Sequence, residues 1–439
     1  MAGARPPAGE PGLSLTRVAA RLTTPSVYLA VLGGLQLAVL WMLRAHLGTA
    51  LPVIGSAGLL AMLALVALKR GSEWLRFWGV AALGAFTAIG PTLAAIIERP
   101  RIGLTMEHDG MLQVESAIDR VLGGQAIYGV DWSGTPMARL PWDLTSGGNP
   151  ALHHMAYFPL TVLVGIPFRL LSGTLGLGFD YRIVLSAFAL LGLFAIATLP
   201  VAAERRLMVL AAIYVSPLIT LYLWSGRNDI EFLATVLLSL VLLSRGHTIP
   251  AAGALGVAVA LKPFAWLAVP FLLVVLVMRL RAGRSRRELL GALAVLVITP
   301  IATIVPFFIA NPPAFWSDVV LYTSGGVPDA YPIAGYGFGE ILYQARLIAH
   351  RTDAFPFTAF QLAAMLPVLW WAGRAVARRP TAGRWMAGYA GVLLAFMFFG
   401  RFFNDNYVAV VITLFLCVLP LGAASLMPPR AAQAGRLAA

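Results

Sequence analysis

The amino-acid sequence predicts an all-helical protein that crosses a membrane many times. Of its 439 residues, 59% are hydrophobic and only 12% are charged, and the mean hydropathy is +0.82. So few charged side chains cannot cover a soluble domain of this size. The long apolar runs contain Leu, Gly and Pro without a two-residue alternation, so their backbone groups have to be satisfied within helices rather than in a barrel.

Three apolar runs near the beginning of the chain approach the roughly 20 residues that a membrane span needs. Cytoplasmic connections carry an excess of Lys and Arg, so Lys69 and Arg70, between the second and third runs, place that turn in the cytoplasm. Residues 1–25 are then predicted to be a cytoplasmic tail. The three runs cover residues 26–46, 50–68 and 75–97.

The last third of the chain shows the same alternation of apolar runs and arginine clusters. The runs cover residues 288–309, 356–376, 384–400 and 405–425. They predict a single transmembrane domain over residues 26–425 and a cytoplasmic tail over residues 426–439. Two long segments, 98–155 and 310–355, are then expected to share the outer side of the membrane.

The middle of the chain leaves the span count open. Residues 156–278 contain six candidate runs, of which the first is 156–172, but the two outer segments require an odd number of crossings. Either 249–278 is one broken span, or 181–224 contains a partial helix. Both alternatives predict about twelve spans, and they differ in the side that residues 225–229 face.

Charge and cysteine content exclude several classes of function. The formal net charge is +13, but the arginines cluster in short connections between apolar runs, so we expect no nucleic-acid binding. The single cysteine, Cys417, can form no disulfide and no cysteine metal site within the chain. No Walker motif, Gly-rich nucleotide fingerprint or nucleophile elbow is present.

A polar, carboxylate-rich stretch over residues 107–128 interrupts the apolar runs and is the first candidate for a site. As a helix it would place Asp109 and Gln113 on one face and Met111 and Val114 on the other, which is typical of an amphipathic helix lying at the membrane surface. Asp109 would project from its beginning. The alternative is that Asp109 only caps the helix.

Other polar residues at the ends of apolar runs are candidates for binding a substrate. Lys262 follows Ala260-Leu261 without a carboxylate nearby in the sequence, so it either reaches the interface or binds an anion. The remaining candidates can also be explained as solvated turns or helix caps. They are Glu107, His108, His153, His154, Tyr157, Arg227, Asn228, Asp229, Arg401, Asn404 and Asp405.

Several of these residues lie in motifs whose order resembles glycosyltransferase family 87 of the GT-C superfamily. The resemblance runs from about residue 105 to 410. The motifs are Asp109 followed by Gly124-x-x-x-Tyr128, then Tyr157-Phe-Pro-Leu160, then Gly226-Arg-Asn228, and finally Ala252-Gly-x-x-Gly-x-Ala-x-Ala-Leu-Lys-Pro263. Two apolar runs precede the span that matches the family's first, and His108 replaces an acidic neighbour seen in some members.

The resemblance implies a membrane enzyme that takes a sugar, mannose or arabinofuranose, from a polyprenyl-phosphate donor. The acceptor would be a glycolipid or a cell-envelope glycan, and the site would face the outside of a bacterial plasma membrane. It implies Asp109 as the base and no cofactor or metal. The expected contacts to the donor phosphate are Lys262, Arg227, Arg401, His153 and His154, and those to the substrates are Glu107, His108, Gln113, Tyr157, Asn228, Asp229, Asn404 and Asp405. A transporter or lipid flippase is the alternative of another class.

Overall fold

The computed structural model describes residues 24–104, 107–142, 144–145, 148–422 and 424–428. Almost all of the predicted N-terminal tail and most of the predicted C-terminal tail lie outside the described residues. The described part consists mainly of helices and their connections, with one pair of two-residue parallel strands, β1 (Ala334–Gly335) and β2 (Phe402–Phe403). The predicted all-helical fold class is confirmed.

Twenty α-helices follow one another along the described chain. The first ten are α1 (Pro25–Met42), α2 (Arg44–Leu47), α3 (Ala50–Ala67), α4 (Glu73–Ile102), α5 (Asp109–Leu122), α6 (Pro159–Leu163), α7 (Ile166–Thr174), α8 (Arg182–Ala197), α9 (Ala203–Leu210) and α10 (Pro217–Trp224). The others are α11 (Asp229–Ser244), α12 (Thr248–Leu261), α13 (Val269–Arg281), α14 (Arg286–Ala310), α15 (Pro312–Trp316), α16 (Tyr322–Ser324), α17 (Phe338–Gln344), α18 (Phe357–Arg378), α19 (Ala382–Phe398) and α20 (Asp405–Leu421).

Short helical turns of other types continue or join these helices. A π-helical turn over Ala211–Val215 joins α9 to α10, and another follows α15 over Ser317–Leu321. The 3-10 turns are Pro136–Arg139, Pro150–Leu152 and Pro263–Ala268, each beginning with proline, whose missing N–H is unused at a helix start.

Local sequence signals set the ends of the longest helices. The Ser72 hydroxyl accepts a hydrogen bond from the Leu75 N–H at the beginning of α4. Ser285 caps α14 in the same way through the Glu288 N–H, and both are the N-cap signal expected before an apolar run. The backbone turns at Gly103, where φ is +73°, directly after α4.

Seven stretches of helix are long and apolar enough to cross a membrane by length and composition. They confirm the predicted runs at the beginning of the chain and two of those in its last third. Runs 384–400 and 405–425 form the shorter apolar helices α19 and α20, and the count of about twelve crossings stays a prediction. The seven stretches are Pro25–Met42, Ala50–Ala67, Glu73–Arg101, Ala203–Trp224, Pro263–Arg281, Arg286–Ala310 and Phe357–Arg378.

The segment after Phe158 packs against the helix that begins at Asp109. Helices α6 and α7 pack against α5, where Arg169 Nε lies 2.7 Å from Asp119 Oδ1. The chain then returns to the same helix, because the Tyr181 N–H donates to Glu115 at 2.8 Å. Run 156–172 therefore begins and ends beside α5, whereas the sequence interpretation placed the partial span in 181–224 or 249–278; which of the runs cross the membrane stays a prediction. The nine residues of α7 extend only about 13 Å.

The two long segments that were predicted to share one side contact each other. The Gly129 N–H donates to Asp318 Oδ2 at 2.8 Å, and the rings of Tyr128 and Phe315 lie 4.8 Å apart. Residues 225–229 belong to the same end of the bundle, since the His108 N–H donates to the Ser225 carbonyl at 2.8 Å. We call this end of the helical bundle the loop end.

Basic connections meet at the other end of the bundle, which we call the basic end. Lys69 lies 3.7 Å from Glu204, and Arg245 donates to the Thr198 carbonyl at 2.7 Å. The buried Arg279 guanidinium donates to the Leu426 carbonyl, which ties the end of α20 to α13. The arginine clusters used for the topology prediction are therefore separated in space from the two long segments.

Candidate active site

A cavity of about 1330 Å³ opens at the loop end, among the two long segments and the beginnings and ends of several helices. Its apolar lining includes Trp142, Phe264, Trp266 and Ile304. Predicted site residues also line it, namely Glu107, His108, Asp109, Gln113, His154, Tyr157, Arg227, Asn228, Lys262, Arg401, Asn404 and Asp405. The structure thus brings together twelve residues that are far apart in the sequence.

Asp109 is the first residue of α5, and its carboxylate is held by neutral donors. Oδ1 accepts the Gly110 N–H at 2.7 Å, and Oδ2 accepts from Asn149 Nδ2 at 2.9 Å. His108, rather than Asp109, occupies the N-cap position, where its Nδ1 accepts from the Gly110 N–H at 3.1 Å. The positive end of the helix dipole favours the carboxylate at this place.

Asp109 differs from the other carboxylates that line the cavity. Glu107 is paired with Arg182 at 3.3 Å, Glu340 with Arg351 at 2.6 Å, and Asp405 with Arg227 at 2.5 Å. Among the described lining residues, Asp109 is the one carboxylate without a Lys or Arg partner within 4 Å. A base has to be ionised but not committed to a cation, so this environment suits proton transfer.

The His108 ring stands beside this carboxylate, with Nδ1 3.1 Å from Asp109 Oδ1. Burial of the ring lowers the pKa of His108; Arg227 and Lys262 act in the same direction, against the opposing effect of Asp109 and Asp229. The imidazole is therefore neutral at pH 7, which agrees with Nδ1 accepting the Gly110 N–H.

Lys262 lies at the break between α12 and the following 3-10 turn, where its backbone is extended. Its Nζ donates to Asp229 Oδ1 at 2.6 Å and to Asn228 Oδ1 at 2.9 Å. The rings of Phe232, Phe264 and Tyr407 surround the ammonium at 5.5 to 5.7 Å. No carboxylate lies near Lys262 in the sequence, and the structure supplies one, Asp229, from the beginning of α11.

Both carboxylate oxygens of Asp229 accept hydrogen bonds from neighbouring side chains. Its Oδ1 accepts from Lys262, its Oδ2 accepts from Asn406 Nδ2 at 2.7 Å, and the residue is 2% exposed. Asp229 does not line the cavity, unlike the adjacent Asn228. Asp229 is thus held inside the bundle by Lys262 and Asn406, and its expected contact with substrate stays a prediction.

The predicted phosphate contacts of Arg401 are also directed elsewhere. Arg401 is 3% exposed, and its guanidinium donates to the backbone carbonyls of Tyr331, Asp353 and Arg351. Arg401 therefore holds segment 310–355 against β2. Gln113 likewise has a structural contact: its Nε2 donates to the carbonyls of Ala151 and His154, each at 2.9 Å, and so holds this part of segment 98–155 against α5.

The two predicted histidines have different surroundings. His153 is exposed, lies 3.7 Å from Asp131 and does not line the cavity, so its expected phosphate contact is not supported. His154 lines the cavity, but its ring nitrogens face Asp318 at 2.9 Å and Asp329 at 3.1 Å. Burial opposes the charged ring, yet its interactions with the Asp318 and Asp329 carboxylates outweigh burial and raise the pKa of His154.

Arg227 is the predicted cation that remains closest to a phosphate-binding role. Its Nη1 donates to Asp405 and Asn406, while its Nε has no hydrogen-bond partner among the described residues. The Tyr322 hydroxyl, also in the cavity lining, is likewise buried without a partner in the described part.

Asn149 was missed by the sequence interpretation, although it lies next to Asp109 in the cavity lining. The Asn149-Pro150 pair signals only a turn. No group of three or more His, Cys, Asp or Glu side chains that could hold a metal ion occurs among the residues that the structure describes.

A membrane-embedded helical bundle with a large cavity and one uncommitted carboxylate defines a candidate enzyme. The sequence profile of glycosyltransferase family 87 matches residues 156–400, more than half of the chain. The protein belongs to this family and is a membrane glycosyltransferase, which decides against the transporter or flippase alternative. No curated protein and no solved structure matches the chain.

Proposed function

We propose that this enzyme transfers a sugar, with mannose as the first choice, from a polyprenyl-phosphate donor to a lipid-linked or cell-envelope glycan acceptor. Asp109 is the base. The observation that carries the proposal is the environment of this carboxylate: it faces the cavity, is held by Asn149 and the Gly110 N–H, and has no Lys or Arg partner.

The proposed reaction is a single displacement with one carboxylate. Asp109 removes the proton of the acceptor hydroxyl while the acceptor oxygen forms a bond to the anomeric carbon. The bond from this carbon to the phosphate oxygen breaks, and the polyprenyl phosphate leaves with the electron pair. Arg227, at the rim of the same cavity, offsets the charge that grows on the departing phosphate.

The mixed lining of the cavity supports a lipid-phosphate donor. Phe264, Trp266 and Ile304 supply apolar surface, and Trp266 is 51% exposed at the end of a membrane-spanning stretch. A polyprenyl chain lies in the bilayer and carries its phosphate at the surface, so apolar and polar walls are both needed. The volume of about 1330 Å³ exceeds that of a usual small-molecule pocket.

The donor is tested with purified protein in lipid vesicles. We expect product from polyprenyl-phosphate mannose and none from a nucleotide sugar. Preference for polyprenyl-phosphate arabinofuranose would support the alternative donor with the same site. Product from a nucleotide sugar alone would contradict the proposed donor class.

We propose a bacterial plasma membrane with the loop end outside, because the basic end carries the arginine clusters. Single cysteines at Ser133 and Ser324, both exposed at the loop end, should react with a membrane-impermeant thiol reagent on intact cells. The background is Cys417→Ser. A cysteine at Ala282, exposed at the basic end, is the control and should react only after permeabilisation. Labelling of Ala282 alone on intact cells would reverse the orientation.

A further inference from the structure

Asn149 stands out as a residue whose side chain links the candidate base to the rest of the loop end. We propose that Asn149 is a positioning residue, whose amide holds the Asp109 carboxylate in the orientation that receives the acceptor proton. The inference rests on the proposed role of Asp109. Its basis is the 2.9 Å contact from Asn149 Nδ2 to Asp109 Oδ2, between residues 40 positions apart.

The orientation of the Asn149 amide is set by a second hydrogen bond. Its Oδ1 accepts the Ala151 N–H at 3.0 Å, at the beginning of the 3-10 turn Pro150–Leu152. Because an N–H must point at the amide oxygen, Nδ2 is the atom presented to Asp109. Asn149 is 8% exposed and lines the cavity, and both of its contacts are partly buried.

The turn that carries Asn149 is itself tied down on several sides. The Trp132 N–H donates to the Leu152 carbonyl at 2.7 Å, and Gln113 donates to the carbonyls of Ala151 and His154. His154 in turn contacts Asp318 of the other long segment. The amide of Asn149 is thus held by the same contacts that join the two segments, which is the rigid support that a positioned base requires.

A neutral amide is suited to this task because it orients the carboxylate without neutralising it. A Lys or Arg at the same place would stabilise the ionised form more strongly and weaken the base. With one hydrogen bond on each oxygen, the carboxylate of Asp109 keeps lone pairs free for the acceptor proton.

The effect of a substitution at Asn149 on the pH profile of kcat depends on the ionisable groups around Asp109. The ionisable groups that interact electrostatically with Asp109 are His108, Tyr157, Tyr322, Tyr331 and Tyr407. His108 also interacts with Arg227, Asp229 and Lys262. Burial raises the pKa of the loop tyrosines Tyr157, Tyr322 and Tyr331, so they stay protonated in any ordinary assay. We therefore compare the acid limb of the pH profile of kcat between the wild-type enzyme and the Asn149 variants.

Asn149→Asp separates positioning from turn capping. The new carboxylate can still accept the Ala151 N–H, but it cannot donate to Asp109, and two carboxylates about 3 Å apart share one proton. We expect the acid limb of kcat against pH to move up by about one pH unit or more. Asn149→Ala, which removes both contacts, should lower kcat about 10- to 100-fold with little change in KM.

Three further variants make the test decisive. Asn311→Ala removes a similar cap, to the Ala314 N–H, outside the cavity lining and should keep the wild-type pH profile. An unshifted profile in Asn149→Asp, or losses in Asn149→Ala matched by lower thermal stability, would overturn the positioning role. Asp109→Asn and Glu107→Gln are measured in parallel. Full turnover in Asp109→Asn would instead refute the proposed base itself, whatever Asn149 does.

Discussion

Replacing Asp109 with Asn is expected to reduce sugar transfer by about 10²- to 10⁴-fold, the usual contribution of a positioned general base. The amide cannot accept the proton of the acceptor hydroxyl at neutral pH. The fold should persist, because the side chain keeps its shape and can still accept the Gly110 N–H. Turnover is measured with purified protein in vesicles, beside a thermal-stability comparison.

A matched control for this variant lies on the same helix. Asp119 is exposed, pairs with Arg169 and does not line the cavity, so Asp119→Asn should keep wild-type turnover. If Asp109→Asn retained turnover within a fewfold of wild type, Asp109 would not be the base. Glu107 would be the next candidate, although its pairing with Arg182 makes it less available.

Among the proposed substitutions, Lys262→Met is expected to lower the free energy of unfolding most. Removing the ammonium leaves Asp229, 2% exposed, without its cation, and breaking a buried pair in this way typically costs about 3–5 kcal/mol. The free energy of unfolding, or the thermal midpoint in detergent, measures the effect. This prediction replaces the expectation that the main function of Lys262 is to contact the donor phosphate.

A second substitution distinguishes the two roles of Lys262. Adding Asp229→Asn removes the uncompensated charge, so the double variant should regain part of the stability lost in Lys262→Met. If Lys262→Met kept its stability but bound the donor ten- to a hundredfold more weakly, the lysine would be a phosphate contact after all.

Much of the fold could be predicted because apolar length and arginine asymmetry are local properties of the sequence. The runs at both ends of the chain became helices close to the predicted residues. The packing of run 156–172 on α5 could not be predicted, because hydropathy does not distinguish a crossing helix from one that packs on a neighbour. Its interruption at Gly165 and Pro167, and the contact of Arg169 with Asp119, decide the matter only in three dimensions.

Twelve of the predicted site residues line one cavity, but their roles stay predictions and their pairing could not be predicted. Asp109 was singled out because a carboxylate at the head of a polar stretch is conspicuous in an apolar chain. The partners of Lys262 and Arg401 could not be found, because they lie at positions distant in the sequence, such as Asp229 and the Tyr331 carbonyl. Asn149 left no signal beyond that of a turn, since a single asparagine before proline has many uses.

The most direct measurement is the anomeric configuration of the product formed by the purified enzyme from a polyprenyl-phosphate sugar labelled at its anomeric carbon. One carboxylate base and one displacement require inversion, so we expect the product signal in NMR spectra to show the configuration opposite to that of the donor, with about 10²- to 10⁴-fold slower product formation in Asp109→Asn. Retention of configuration would require a second displacement, and would contradict the role assigned to Asp109.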